Sequence, residues 1–146
     1  MIGHEISMEG LDLIKKSESC RLMPYQDAVG VWTDGWGNTH SVQPGVPITQ
    51  EEADERLIMN LGVACSDVNH MVAVEITQAQ FDALVSFVYN VGAHALKEST
   101  LLLLLNHRDF TGAAAEFQRW NHANGKVLTG LTVRRAREQE LFRRDL

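Results

Sequence analysis

A chain of 146 residues, 45% hydrophobic and 22% charged, can bury one substantial core, and its balance argues against a disordered protein. The formal charge of −6 argues against a general nucleic-acid binder, which would carry a basic footprint. The longest apolar run, over 101–105, is far too short to span a bilayer, so stable membrane insertion is not expected.

Residues 8–19 predict a helix, with Met8, Leu11 and Ile14 on one stripe and Lys15, Lys16 and Glu18 among them. Residues 23–46 change character. Pro24, Gly30, Gly35, Gly37, Pro44 and Gly45 punctuate β-prone pieces such as Val29 and Val31-Trp32-Thr33, the pattern of a small, turn-rich sheet or hairpin lobe. Thr49 with Glu52 forms a capping-box pattern that opens a helix to about residue 64, with Ala53, Leu57, Ile58 and Leu61 as its apolar positions. Thr77 with Gln80 repeats the signature. Phe81, Leu84, Val85 and Val88 then recur at helical spacing until Gly92 ends the run. Ser99 or Thr100 caps a short apolar helix to residue 106. Residues 109–121 predict another helix, with Ala113, Ala114, Phe117 and Trp120 on its buried side. Asn124-Gly125 is a turn, and 130–143 is a last helix. The order of elements predicts an α+β fold, mostly α. One domain is expected over 1–146, with a small β-containing lobe at about 20–60 and a helical lobe from 1–19 and about 65–146.

Five of the thirteen Lys and Arg residues fall in the last thirteen positions: Arg134, Arg135, Arg137, Arg143 and Arg144. With Glu138 and Glu140 between them they read as a solvated helix face. Cys20 and Cys65 make neither a disulfide framework nor a zinc spacing and read as free thiols. The six histidines show no metal-ligand spacing and read as exposed polar residues. No metal is expected. Met1-Ile2-Gly3-His4-Glu5 lacks the positive start and apolar run of a secretory leader, which predicts synthesis and retention in the cytoplasm.

The stretch most able to carry chemistry runs from Glu18 to Thr33. Glu18 closes a helix, Asp27 enters the Gly-rich β segment nine residues on, and Thr33 comes six later. Glycosidic cleavage needs one carboxylic acid to protonate the departing oxygen. It needs one carboxylate opposite, which attacks the sugar carbon or deprotonates a water that does. A threonine hydroxyl beside that carboxylate suits the positioning of a water. Spacing alone does not separate this pair from surface charge, because nineteen acidic residues in 146 make such pairs common.

The wider sequence is more specific. The run Arg21-Leu-Met-Pro-Tyr-Gln-Asp27, continued by Trp32-Thr33-Asp34-Gly35-Trp36-Gly37-Asn38-Thr39, resembles the signature of phage lysozymes and endolysins, glycoside hydrolase family 24. That family carries Glu, eight residues, Asp, five residues, Thr, which Glu18, Asp27 and Thr33 match without gaps. Residues 77–92 resemble its long central helix, and Ser99-Thr-Leu-Leu the start of the next. Arg119-Trp120 and Gly130-Leu-Thr-Val-Arg-Arg135 resemble its C-terminal signature.

The resemblance implies a two-lobed lysozyme fold. It implies hydrolysis of the β-1,4 bond between N-acetylmuramic acid and N-acetylglucosamine in bacterial peptidoglycan, without metal or organic cofactor. Glu18 would be the general acid and Asp27 the general base of an inverting route, with Thr33 beside the water. Arg134, or Arg135 as the near alternative, falls where the family pairs an arginine with its catalytic Glu; the plainer reading is a surface arginine. Thr39, Tyr89, Asn90 and Thr100 fall near bound saccharide, although Tyr89 also reads as helix core and Asn90 and Thr100 as turn or cap residues. A monomer is expected, released from the host cytoplasm to the wall through a holin.

Two positions depart from the family's Thr-Ile-Gly-aromatic-Gly-His. Strand alternation turns Asp34 away from Thr33, where it is harmless or holds its own cation. Asn38 hydrogen-bonds but carries no charge. Two rival functions stand beside the hydrolase: a lytic transglycosylase, which needs one Glu but neither Asp27 nor Thr33, and a wall-binding module whose catalysis has decayed.

Overall fold

The computed structural model describes residues 4–146, so positions 1–3 of the N-terminal reading lie outside the described residues. Helix α1 (Met8–Glu18) starts at Ser7, whose hydroxyl accepts from Gly10 N. Ser7 is itself held by the buried Asp82, which accepts from its backbone N at 3.0 Å and from its hydroxyl. The helix stops at Glu18 because Ser19 adopts φ 51°. A carboxylate is thus placed at a helix end, at the junction with the β segment.

That segment is a hairpin. Strands β1 (Arg21–Gln26) and β2 (Trp32–Gly35) pair antiparallel with Gln26 opposite Trp32 and Tyr25 opposite Thr33. The register shifts between Arg21 and Tyr25, where Pro24 removes a donor from the ladder. Ile48 N then donates to Leu22 O and returns the chain along the hairpin.

Helix α2 (Gln50–Met71) opens with the Thr49/Glu52 capping box. It runs past residue 64, the end that periodicity predicts, because Ala64 and Val68 continue the buried stripe of Ala53, Leu57 and Leu61. Ile58 is off that stripe and 70% exposed, which corrects its assignment to the apolar side. Helix α3 (Gln78–Val91) starts at the Thr77/Gln80 capping box, ends at Gly92, and is buried from Ala79 to Val88. It is the centre of the molecule. Phe81, Leu84, Val85 and Phe87 pack against Ile14, Leu57, Leu61, Leu101, Phe117 and Phe142 from the surrounding helices.

A short α4 (Ala93–Lys97), which no sequence signal announces, leads to α5 (Thr100–Asn106). Ser99 is the cap of α5, accepting from Leu102 N at 3.0 Å, and Thr100 is the first helical residue. The helix expected over 109–121 is α6 (Phe110–Glu116) followed by a 3-10 turn (Phe117–Arg119). Asn124-Gly125 is the tip of a second hairpin, β3 (His122–Ala123) with β4 (Lys126–Val127). Both tip residues have positive φ, as a two-residue hairpin turn requires. Helix α7 (Thr129–Phe142) closes the fold.

The fold is α+β and mostly α. The solvated reading of the C-terminal charges is corrected for Arg134, Arg135 and Glu138, which are buried. They tolerate burial because α7 spacing sets Glu138 one turn from each arginine, so the charges pair within one helix. Cys20 and Cys65 are free.

Candidate active site

Glu18 is held from behind. Arg134 Nη1 donates to Glu18 Oε2 at 2.5 Å. The same guanidinium donates to Ser86 O at 3.1 Å and, through Nε, to Glu138 Oε2 at 3.3 Å. Glu138 Oε2 also accepts from Ser86 Oγ at 2.5 Å and Arg135 Nη2 at 3.0 Å. Arg135 Nε lies 2.6 Å from Glu138 Oε1, but the two are misaligned and neither makes a hydrogen bond. Burial lowers the Arg135 pKa, and the charge of Glu138 opposes that shift. Carboxylates and guanidiniums therefore alternate from the site into the helical core. No charge in the row is left alone, which is the condition for burying it.

The other oxygen of Glu18 faces the turn after β2. A Cβ built on Gly37 would lie 2.5 Å from Glu18 Oε1, and Gly37 has φ +84°. No residue but glycine lets the backbone pass so close to the carboxyl group.

Asp27 opens the turn of the first hairpin. Its Oδ1 accepts from Val29 N at 3.0 Å and Val31 N at 2.8 Å, while its own N donates to Val31 O. Among the described residues Oδ2 takes no hydrogen bond. Thr33, 4% exposed, donates its hydroxyl proton to the same Val31 carbonyl at 2.9 Å. The backbone of one residue, Val31, thus orients both side chains, through its N–H and its carbonyl. It also leaves the Thr33 oxygen as an acceptor, where residue type alone allows either role. Along β1 the Arg21 guanidinium stacks 3.9 Å from the centre of the Tyr25 ring. Burial, then the charge of Glu18, raises the Tyr25 hydroxyl above its ordinary pKa.

These side chains border one cleft of about 490 Å³. Glu18, Asp27, Thr33, Thr39 and Asn90 line it, with Tyr25 and Gly37 between them. The opposite wall is Trp120, His122, Ala123, Leu128 and Leu131. The second hairpin reaches across to the first, where Asn124 Nδ2 donates to Ala28 O at 3.4 Å. Arg134 stands behind the cleft, buried rather than on the surface.

Besides Arg134, two candidates are not brought into the cleft lining. The Tyr89 hydroxyl is spent on Trp36 O at 2.6 Å, and Thr100 is an exposed residue at the start of α5. The far wall is missed by sequence reasoning, including His122, which reads there only as an exposed polar residue. The available signal is Asn124-Gly125, a hairpin dipeptide that sets His122 on a strand beside the cleft.

Asp34 is fully buried on the side away from the cleft and holds its own cation, Arg56. It also accepts from Asn38 Nδ2 at 2.8 Å. Asn38 Oδ1 in turn accepts from Asn60 Nδ2 at 3.0 Å and His40 N at 3.3 Å. Both departures from the family motif belong to one network beneath the turn. Among the described residues no group of three or more His, Cys, Asp or Glu is placed to hold a metal ion.

A mostly helical fold with two carboxylates beside a hairpin cleft is the architecture of a lysozyme-type hydrolase. The phage lysozyme family profile matches residues 15–138. The endolysin of Acyrthosiphon pisum secondary endosymbiont phage 1 is 45% identical over 94% of this chain and 97% of its own. A SAR-endolysin of Bacteriophage PS119 is 38% identical over 85% of this chain and 75% of its own. Among solved structures, the muramidase domain of SpmX from Asticaccaulis excentricus superposes with a TM-score of 0.86. It is 40% identical and covers 95% of this chain and 97% of that one. The chain belongs to the phage lysozyme family.

Proposed function

We propose that this lysozyme hydrolyses the β-1,4 bond between N-acetylmuramic acid and N-acetylglucosamine in peptidoglycan, with Glu18 as general acid and Asp27 as general base. The observation that supports this reading is the complementary way the two carboxyl groups are held. Arg134 takes Glu18 Oε2 and leaves Oε1 beside Gly37, with Glu18 and Gly37 both lining the cleft. Two backbone amides take Asp27 Oδ1 and leave Oδ2 without a partner among the described residues.

In the reaction, protonated Glu18 gives its proton through Oε1 to the departing glycosidic oxygen. Asp27 Oδ2 takes one proton from a water, and the Thr33 oxygen, its own proton committed to Val31, accepts a hydrogen bond from the other. The water's lone pair then faces the sugar carbon. The carbon–oxygen bond to the leaving sugar breaks as the bond to water forms, with inversion and a new reducing end. Asn90 and Thr39 offer an amide and a hydroxyl to the sugar's acetamido and hydroxyl groups. Arg134 is a positioning residue.

Glu18→Gln and Asp27→Asn are each expected to abolish lysis of purified peptidoglycan while the fold persists by circular dichroism. Full activity in either variant ends the assignment. Anhydro-muramic products in place of reducing ends would move the protein to the transglycosylases. The same reading has a monomer acting on the wall after release through a holin. Among the described residues no helix is long and apolar enough to cross a membrane. Lysis that needs a co-expressed pore former supports the holin route, and lysis without one points to another.

A further inference from the structure

The turn that runs close to Glu18 is itself gripped from beneath. Tyr89 Oη of α3 donates to Trp36 O at 2.6 Å. Trp36 Nε1 donates to Asp54 Oδ1 of α2 at 2.8 Å, and Gln50 Nε2 holds the same oxygen at 3.0 Å. Lys15 Nζ of α1 lies 5.2 Å from the centre of the Trp36 ring. At the far end of the turn, Asn38 is tied to Asn60 and to Asp34, which pairs with Arg56. Trp36 is thus fixed at its carbonyl, its indole N–H and its ring face, by three different helices. Gly37 comes directly after it, with its missing Cβ position 2.5 Å from Glu18 Oε1.

We propose that Tyr89 is a positioning residue for Glu18, acting through the Trp36–Gly37 peptide. The proposal rests on the reading of Glu18 as the acid. Arg134 fixes one carboxyl oxygen but leaves the group free to pivot about that contact. Gly37 blocks the pivot on the Oε1 side, and Tyr89 holds Gly37 where it blocks. The Tyr89 ring does not line the cleft, so its hydroxyl is available for this work. Burial and the nearby charge of Glu18 raise the pKa of that hydroxyl, which keeps it a donor to Trp36 across the neutral range. A displacement of the turn bears on Glu18, because the backbone of Gly37 runs so close to the carboxyl group that a Cβ there would overlap Oε1. Catalysis is steeply sensitive to such displacements.

Tyr89→Phe keeps the ring and removes only the hydroxyl. The expected result is a fall in kcat of about five- to tenfold, the rate equivalent of one neutral hydrogen bond, with KM within about twofold. In the nitrogen–proton NMR spectrum the Trp36 indole signal should shift while those of Trp32 and Trp120 stay. Asp54→Ala, which releases Trp36 from the other helix, should lower kcat in the same way and serves if Tyr89→Phe does not fold. Unchanged kcat in the folded variant well below its melting temperature overturns the proposal. So does a raised KM at constant kcat, which would mark Tyr89 as a substrate contact, or a lowered kcat with an unmoved Trp36 signal. Glu18→Gln is run alongside. If it retains activity the reading of Glu18 fails; if it is dead while Tyr89→Phe keeps full kcat, only the present inference fails.

Discussion

Gly37→Ala tests how tightly the turn is set against Glu18. The added Cβ would lie 2.5 Å from Oε1 and 2.8 Å from Cδ of Glu18. A relaxed carbon–oxygen contact is about 3.3 Å, so the overlap is about 0.8 Å. Glu18 can yield by pivoting Oε1 about its contact with Arg134, which turns that oxygen out of its place in the cleft, and the turn can yield by lifting off Tyr89 and Asp54. Alanine at φ +84° also carries a backbone penalty of about 1 kcal/mol.

Gly45→Ala separates the two effects. Gly45 has nearly the same φ, +81°, with nothing within 4 Å of the built Cβ. The control variant should therefore lose about 1 kcal/mol, a fall in melting temperature of about 2–4 °C, and keep its kcat. Gly37→Ala should lose about 2–4 kcal/mol, the sum of backbone strain and overpacking. Its kcat should fall about a hundredfold, as expected when an acid is moved by a sizeable fraction of an ångström. Calorimetry and the clearing rate of a purified peptidoglycan suspension measure both quantities. Equal kcat in the two variants would refute the claim that the turn bears on Glu18.

The buried charges and the grip on Trp36 give two further expected outcomes. Glu138→Gln removes the anion with which Arg134 and Arg135 pair within α7, and is expected to cost about 3–5 kcal/mol, or about 6–20 °C in melting temperature; urea unfolding checks it. The hydrogen bond from the Trp36 indole, and then that from Gln50, holds the Asp54 carboxyl below its usual pKa. A carboxylate with a depressed folded pKa adds stability above its unfolded value and loses it as pH falls through the folded one. The gap in melting temperature between the wild type and Asp54→Ala should therefore be full near neutrality and close below about pH 4, and a gap that persists at acid pH would contradict the assignment.

The helices are legible in sequence where their ends carry side-chain chemistry. Thr49 with Glu52 and Thr77 with Gln80 are reciprocal caps made within four residues, so short-range sequence contains the whole interaction. The far end of α2 is not legible. It depends on Ala64 and Val68 finding cover from other helices, and small or polar residues around them blur the stripe. The break of the helix expected over 109–121 into α6 and a 3-10 turn has no local signal either.

The order Glu18, Asp27, Thr33 on a helix end and a hairpin is written in the sequence, because each lies within one short local element. So are the Asp34 and Asn38 departures, as residue types. Their partners are not. Arg134 lies 116 residues from the carboxylate it holds, and Arg56 is 22 residues from Asp34. The solvated reading holds for Arg137, Arg143 and Arg144 and fails for Arg134 and Arg135, because charge pattern alone does not show which face of α7 meets α3. Tyr89 shows the same limit most plainly. Its chemistry suits a sugar, but a hydroxyl goes to the strongest acceptor within reach, and only the packing of α3 against the turn makes that acceptor the Trp36 carbonyl. Local elements arise from residues a few positions apart. Which side chain faces the cleft, and which props up another from behind, is decided by packing across the whole chain.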